Sequence, residues 1–134
     1  MSAQDVETLR SLYDDWARGD YTRADVFAPD IELSIEDSFP DILIEPGLPG
    51  LRSAMRTWFA SWERPFEIFA DEFVDLGEHV VVVIHWRAVS KLSGHLVERD
   101  GAHLWKMRDG RAVLLKLCRD RAEAFVAASV AAPD

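Results

Sequence analysis

The chain has 134 residues, which suits one compact domain over residues 1–134 and leaves little room for a second. Hydrophobic residues make up 49% of it, so a core can form without disulfides, and the single cysteine excludes an internal disulfide. The net charge of −9 argues against binding to nucleic acid or to an anionic membrane. Because no apolar run is as long as a membrane span and no N-terminal signal pattern is present, we expect a cytoplasmic protein.

The first segment is predicted to be a helix, which Ser2 can cap and Gly19 ends, since glycine readily adopts the left-handed conformation that follows a helix. Its apolar residues recur at helical spacing and form one stripe, namely Val6, Leu9, Leu12, Tyr13 and Trp16. A short second helix is predicted from about Tyr21 to Phe27. Both helices precede the first strand.

The middle of the chain changes pattern twice. Residues 30–35 alternate between apolar and polar side chains, which predicts a strand with Ile31, Leu33 and Ile35 on one face. Asp37–Gly50 is rich in proline and glycine and is predicted to be a long loop. A second long helix is expected over Leu51–Trp62, because its apolar residues again recur at helical spacing.

The last third of the chain has a period near two, which predicts four strands joined largely by hairpins. We place them at about Phe66–Leu76, His79–Lys91, Gly94–Arg108 and Arg111–Arg119. Asp120 can cap a final helix. The order of elements predicts an α+β fold, in which a curved antiparallel sheet packs on three or more helices and leaves a conical cavity.

Five segments carry a family resemblance when they are taken in this order. They are FAPDIEL (Phe27–Leu33), PGLPGLRSAM (Pro46–Met55), VDLGEHVVVVIHWRA (Val74–Ala88), SGHLVERDGAHLWKMRDGRAVLL (Ser93–Leu115) and DRAEAF (Asp120–Phe125). Together they resemble the SnoaL-like branch of the nuclear transport factor 2-like superfamily. The resemblance implies a cone-shaped, cystatin-like α+β barrel with one pocket, a homodimer and no obligatory cofactor.

The same resemblance implies acid/base chemistry on small, mostly apolar molecules, as in polyketide cyclases, ketosteroid isomerases, limonene-epoxide hydrolases and dehydratases. Arg87 matches an arginine of the epoxide hydrolases, but Val89 and Leu117 stand where their two aspartates would be. Ile35 stands at the position of the proton-abstracting carboxylate of the isomerases, and Asp37 follows two residues later on the same face. The chain therefore lacks both inherited catalytic patterns.

The candidate catalytic residues that remain are Asp37, His85, Arg87 and His103. A histidine can exchange a proton near neutral pH, and an arginine can hold a carboxylate or a developing oxyanion. Each also has a structural interpretation: a buried or interfacial histidine, an ion-paired arginine, a loop aspartate. The four histidines lack the spacing of zinc ligands, so no metal site is predicted.

The candidate substrate-binding residues are large apolar side chains expected around the cavity, although the tryptophans are equally typical of a core. They are Trp16, Trp58, Trp62, Trp105, Leu115, Leu117 and Ile35.

Strand alternation decides which of these side chains enter the cavity. A three-residue loop over Arg108-Asp109-Gly110 would place His103 and Trp105 on one face with Leu115 and Leu117. A two-residue Asp109-Gly110 turn would group them with Leu114, Lys116 and Cys118 instead. We favour the first register, because it separates the lysines Lys106 and Lys116 from the apolar pair.

The preceding strand has one face with His85 and Arg87. Its other face is wholly apolar and consists of Val80, Val82, Ile84, Trp86 and Ala88. The apolar face could be a pocket wall or a dimer interface. The resemblance favours the face with His85 and Arg87 as the one that lines the cavity.

These residues support three hypotheses. The first is a cofactor-free isomerase, cyclase, dehydratase or hydrolase of a small hydrophobic metabolite, in which His103 or His85 moves the proton and Arg87 stabilises the negative oxygen. The second is a ligand-binding module without chemistry, and the third a dimerisation module that uses a sheet face with Trp86, Leu104 and Leu114.

Overall fold

Three helices and five strands lie in the part of the chain that the structure, a computed structural model, describes: residues 2–35 and 45–128. The helices are α1 (Ser2–Ala17), α2 (Gly47–Phe59) and α3 (Arg121–Ala127). The strands are β1 (Phe27–Ile35), β2 (Glu67–Asp75), β3 (His79–Val89), β4 (Leu96–Arg108) and β5 (Arg111–Cys118). None of these helices is long and apolar enough to cross a membrane.

The five strands form one sheet in the order β1-β5-β4-β3-β2. The predicted α+β class is confirmed, but the sheet is mixed, because β1 runs parallel to β5 while the other neighbours are antiparallel. The chain leaves β1 at one edge, passes through α2 and re-enters the sheet at the other edge with β2.

The two faces of the sheet are covered by different helices. On the inner face, Leu9 and Leu12 of α1 share a buried cluster with Val80 and Val82 of β3, and α2 adds Leu51 to it. On the outer face, Phe125 of α3 packs in a second cluster, together with Val81, Ala102, Leu104 and Cys118. We call these the inner face and the outer face below.

The predicted helix over Tyr21–Phe27 is wrong. Residues 21–24 have no regular structure, a turn follows at residues 25–26, and β1 begins at Phe27 rather than Asp30. Tertiary contacts hold this segment instead: the Tyr21 ring lies 4.3 Å from that of Phe59, and the Val26 carbonyl accepts a bond from the Ala112 N–H of β5 at 2.7 Å. Such contacts override the weak helix propensity of a short segment.

Helix α2 begins inside the predicted loop, at Gly47 rather than Leu51. Proline is tolerated in a first helical turn, where its missing N–H has no partner to lose, and Pro49 lies there. Gly50 is required by close packing, because a Cβ atom there would lie 1.6 Å from the carbonyl oxygen of Glu45. Helix α3 starts as predicted, with the Asp120 carboxylate accepting a bond from the Glu123 N–H at 2.8 Å.

The β4–β5 hairpin reaches the predicted grouping of side chains by a different route. The predicted three-residue loop is wrong: Arg108 pairs with Arg111, and Asp109 and Gly110 form a two-residue turn with φ of 54° and 79°. The register then shifts, because Met107 pairs with Ala112 whereas Lys106 pairs with Leu114. Val113 is therefore the extra residue of a β-bulge.

A two-residue turn without the bulge would place His103 and Trp105 on one face with Leu114 and Lys116. The bulge returns them to the face with Leu115 and Leu117. Trp105 lies opposite Leu115, and His103 lies opposite Leu117. The prediction that these four residues share one face is therefore confirmed.

Candidate functional site

A cavity of about 330 Å³ lies between the inner face and helices α1 and α2. All five strands contribute to its wall, so the sheet must curve around it. The lining is largely apolar, and its members from the two helices and the neighbouring loop are Trp16, Tyr21, Leu51, Ala54, Met55, Trp58, Phe59 and Phe66. The members from the sheet and its C-terminal end are Leu33, Ile35, Ile68, Ile84, Trp86, Asp100, Gly101, His103, Leu115, Leu117, Cys118 and Arg119.

His103 is the buried polar residue of this wall, with 7% of its surface exposed. Its Nδ1 lies 2.5 Å from the hydroxyl oxygen of Tyr13 on α1. The same hydroxyl oxygen accepts a hydrogen bond from Trp105 Nε1 at 2.9 Å. A buried chain of polar groups thus runs from the β4 tryptophan through the α1 tyrosine to the imidazole.

Burial sets the charge of both titratable members of this chain. It lowers the pKa of His103 to about 4, because the charged imidazolium loses its hydration. It raises the pKa of Tyr13 well above its usual value for the same reason, and the bond from Trp105 offsets only part of that rise. Both side chains are therefore neutral at neutral pH.

The aromatic wall of the cavity is built mainly around the C-terminal half of α2. Trp58 is 47% exposed at the edge of the cavity, and its ring meets those of Phe66 and Trp86 edge-on at centroid distances of 6.0 Å. Trp86 stacks on Phe66 at 5.0 Å. These rings give a ligand flat apolar surfaces in the same cavity as the imidazole.

Two charged residues lie where the cavity meets solvent. Arg119 follows β5 and its Nε pairs with Glu123 of α3 at 3.0 Å. Asp100 borders the cavity through its position on β4, but it lies opposite His85, so alternation directs its side chain to the outer face.

The substrate-binding candidates divide into three groups. Trp16, Ile35, Trp58, Leu115 and Leu117 line the cavity, where the sequence predicted them.

Trp105 does not line the cavity: it is fully buried in the core behind His103. Trp62 lies in a separate hollow of about 590 Å³, between the end of α1 and residues 59–66. Its ring backs the aromatic wall at 5.2 Å from Trp86, and its Nε1 is a buried atom without a hydrogen-bond partner.

The expectation that His85 and Arg87 face the cavity is wrong. Val82 lies opposite His103 in the ladder, so the apolar set of β3 is on the inner face, and His85 and Arg87 are on the outer face. His85 is half-buried and Arg87 is exposed; His85 Nδ1 is hydrogen-bonded to Asp71 at 2.8 Å, and Arg87 Nε pairs with Glu67 at 2.9 Å. The structure therefore does not bring them together with His103.

The proposed dimerisation face with Trp86, Leu104 and Leu114 is also not one surface. Trp86 is on the inner face, whereas Leu104 is buried on the outer face under α3. Asp37, the fourth candidate catalytic residue, lies outside the described residues.

Tyr13 is the residue of this polar chain that the sequence does not single out. The pattern places it in the apolar stripe of α1, yet its hydroxyl joins His103 to Trp105. The signal was present, because the hydroxyl of a tyrosine in a buried stripe must find a partner. Among the residues with assigned positions, no three histidine, cysteine, aspartate or glutamate side chains are grouped closely enough to hold a metal ion.

Comparison with known proteins places this geometry in a family. The family model described as the SnoaL-like domain matches residues 9–115. No curated protein matches the sequence.

Several solved structures share the fold over most of the chain. An NTF2-like protein of unknown function from Burkholderia pseudomallei K96243 is 23% identical, with a TM-score of 0.74 over 92% of this chain and 95% of that one. A proposed SnoaL-like polyketide cyclase from Jannaschia sp. CCS1 is 18% identical, with a TM-score of 0.74 over 98% and 94%. IdmH, a proposed polyketide cyclase from Streptomyces antibioticus, is 20% identical, with a TM-score of 0.71 over 95% and 99%.

These likenesses establish the fold, and the family match spans most of the sequence. The chain therefore belongs to the SnoaL-like family.

Proposed function

We propose that the protein binds a small hydrophobic molecule in the inner cavity and that His103 contacts a polar atom of that molecule. The observation that carries this proposal is one buried imidazole in the largely apolar wall of a cavity that opens to solvent at one edge. A few convergent polar groups in an apolar pocket are typical of small-molecule sites. The structurally similar protein TerC, which was co-crystallised with polyporic acid, gives support from a relative.

The cavity also constrains the size of the ligand. Its volume of about 330 Å³ lies at the lower end of the range for small-molecule sites, about 300–1,000 Å³. The rings of Trp58, Phe66 and Trp86 offer stacking surfaces. These features favour a compact molecule with an aromatic or fused-ring portion.

The chemistry that we propose is cofactor-independent acid/base catalysis, as in an isomerase, cyclase, dehydratase or hydrolase. A neutral imidazole in a largely apolar wall can donate a hydrogen bond to an oxygen on which negative charge develops, and so stabilise it. This assigns to His103 the role of holding the oxygen, which the sequence had suggested for Arg87. Arg87 cannot take it, since it lies on the outer face.

The second candidate is a ligand-binding protein without chemistry. Asp100 is the carboxylate among the described lining residues, and it pairs with His85, so its side chain is directed to the outer face. Among these residues no carboxylate therefore points into the cavity to act as a base, which favours this candidate. On this account the cavity holds its ligand and releases it unchanged.

One experiment tests the binding proposal. Isothermal titration calorimetry with 2-acetylnaphthalene should detect binding to the wild type, and Leu117→Trp should weaken it by at least about tenfold, or 1.4 kcal/mol, because the new ring fills the cavity. Leu114→Trp is the matched control: Leu114 is on the same strand but lies opposite Lys106 on the outer face. Equal loss of affinity in both variants, or no wild-type binding, would contradict the proposal.

The same ketone distinguishes the two candidates. In heavy water, acid/base catalysis transfers a methyl proton of the acetyl group to solvent and returns a deuteron, which proton NMR follows as loss of the methyl signal. Exchange above the buffer rate that His103→Gln abolishes supports catalysis. Binding without exchange favours the second candidate.

Two further expectations remain proposals. The family resemblance implies a homodimer, and the outer face offers both charge signs, with Glu67–Arg87 and Asp71–His85 side by side on β2 and β3. Light scattering at micromolar concentration tests this, and a monomer would contradict it. The cytoplasmic location predicted from the sequence can be tested by cell fractionation.

A further inference from the structure

The hydrogen-bond chain behind His103 has a fixed direction. An indole nitrogen can only donate, so Trp105 Nε1 donates to the Tyr13 hydroxyl oxygen at 2.9 Å. The tyrosine therefore accepts from one side and still has its own hydrogen to place. Tyr13 is 2% exposed, so that hydrogen needs a partner within the protein.

His103 Nδ1 is the acceptor within reach. It lies 2.5 Å from the Tyr13 hydroxyl oxygen, and no other bond of that hydroxyl besides the one from Trp105 occurs among the described residues. If Nδ1 carried a proton, two donors would meet one hydroxyl and its hydrogen would be left buried without an acceptor, at a cost of about 1–3 kcal/mol. Tyr13 therefore donates to Nδ1, and the imidazole proton is on Nε2.

The Nε2 edge of the ring belongs to the cavity. No hydrogen bond joins His103 Nε2 to any residue within 2–35 or 45–128. Nε2 is also not one of the fully buried polar atoms without a partner in those segments, as Trp62 Nε1 is, so it must be accessible from the cavity. A ligand in the cavity therefore meets an N–H group rather than a lone pair.

We propose that Tyr13 and Trp105 are positioning residues that hold His103 as the Nε2–H tautomer, so that the cavity selects hydrophobic molecules with an acceptor oxygen such as a carbonyl, enolate or phenolate. This inference rests on the proposed function, because it names the class of ligand for the same cavity. Burial supports it by keeping His103 neutral, so that the donor is an imidazole rather than an imidazolium.

His85 provides an internal reference for reading the tautomer of His103, because its Nδ1 has the opposite role. His85 Nδ1 lies 2.8 Å and 3.0 Å from the two carboxylate oxygens of Asp71, which can only accept, so this Nδ1 carries a proton. Two histidines of one sheet thus use Nδ1 in opposite ways. A method that reads the tautomer must distinguish them.

The first test is long-range proton–nitrogen NMR of the wild type at pH 7.5, with the His103 signals assigned by their loss in His103→Gln. We expect a protonated Nε2 and an unprotonated Nδ1 at His103. A protonated Nδ1 would overturn the proposal, and this measurement needs no ligand.

The second test is Tyr13→Phe, which should shift His103 towards a mixture of tautomers. Tyr21→Phe is its matched control, because the Tyr21 hydroxyl also lies beside the cavity but donates to the carbonyl oxygens of Phe66 and Trp16. His103 signals that are unchanged in folded Tyr13→Phe, or equally changed in both variants, would count against the positioning role.

The third test compares 2-acetylnaphthalene with 2-ethylnaphthalene, which has nearly the same shape and no oxygen. Without a donor in the cavity the hydrocarbon should bind more tightly, because it loses no hydration of a carbonyl. We expect the wild type to prefer the ketone by about three- to tenfold, as one hydrogen bond allows, and His103→Leu to reverse the preference.

The outcomes separate this inference from the proposed function. Equal binding of both probes by the wild type would contradict the preference for ligands with an acceptor oxygen. It would not contradict the proposal that the cavity binds hydrophobic molecules. Failure of both probes to bind would contradict the proposed function and the ligand class together, while the nitrogen spectra would still decide the tautomer.

Discussion

His103 and His85 lie on neighbouring strands of one sheet, yet their surroundings give them opposite properties. His103 on the inner face is enclosed by Tyr13 and Trp16 of α1 and by Trp105, and its pKa falls to about 4. His85 on the outer face is 43% exposed, stacks on Phe69 at 4.8 Å and pairs with Asp71. The face of the strand and the helix that covers it, rather than residue type, therefore decide which imidazole can contact a ligand.

The asymmetry comes from the helices. Helices α1 and α2 pack on the inner face and leave a hollow between them, whereas α3 is short and covers only the part of the outer face around Val81 and Leu104. The outer side chains beyond α3 include His85 and Arg87, whose bonds to Asp71 and Glu67 are open to solvent and so contribute little. Substitutions on the two faces should therefore have different costs.

The largest difference should come from the aromatic residues. Trp105→Ala should lower the free energy of unfolding by about 3–5 kcal/mol, because it opens a cavity in the core and removes the donor to Tyr13. Phe69→Ala on the outer face should cost no more than about 1.5 kcal/mol, since its ring is partly solvated. Urea denaturation measures the unfolding free energy of both variants. Equal losses would contradict the expected difference between the inner and the outer face.

The pH dependence of stability should isolate His103. Its pKa is lowered from 6.5 to about 4 in the folded protein, so between these values the unfolded chain binds more protons. Stability should therefore fall as pH drops from 6.5 to 4, with up to about 3 kcal/mol of the loss due to this group. The measurement is the slope of unfolding free energy in wild type minus that in His103→Gln, which cancels the shared carboxylates. Identical slopes would refute the lowered pKa.

Removing the central hydroxyl should have an intermediate effect. Tyr13→Phe leaves Trp105 Nε1 and His103 Nδ1 without their shared partner, so we expect a loss of about 2 kcal/mol. Thermal denaturation against Tyr21→Phe measures it. A loss below that of Tyr21→Phe would show that the buried chain contributes little.

The smallest effect should come from the outer histidine pair. Asp71→Asn should change the unfolding free energy by less than about 1 kcal/mol and leave the affinity for 2-acetylnaphthalene unchanged, because the pair is exposed and lies across the sheet from the cavity. Denaturation and calorimetry on one preparation test both statements. Weakened binding would show that the outer face communicates with the cavity.

The sequence predicted most elements correctly, because their patterns are local. The α1 stripe, the alternation of the last four strands and the Asp120 cap each depend on residues close together in the chain. It also grouped His103 with Leu117. The helix expected at Tyr21–Phe27 is absent because contacts distant in sequence, of Tyr21 with Phe59 and of Val26 with Ala112, hold this short segment in another conformation.

The face of β3 could not be read in the same way. Val80, Val81 and Val82 are all fully buried, since α3 covers the outer face just where α1 covers the inner one, and alternation carries no signal when both sides are apolar. The family resemblance then selected the wrong face. The role of Tyr13 was hidden for another reason, because its partner is 90 residues away in the chain.

The bulge at Val113 gives the β4–β5 hairpin one residue of slack. A deletion at Val113 would leave Leu115 opposite Trp105 and Leu117 opposite His103, because only an unpaired residue is lost. A deletion of Lys116 would invert the alternation of the last residues of β5 and bring Cys118 opposite His103 in place of Leu117. Loss of one residue before Leu114, at the bulge, should therefore leave the cavity lining unchanged. Loss of one residue after Leu114, at Lys116, should change the side chain that lies opposite His103.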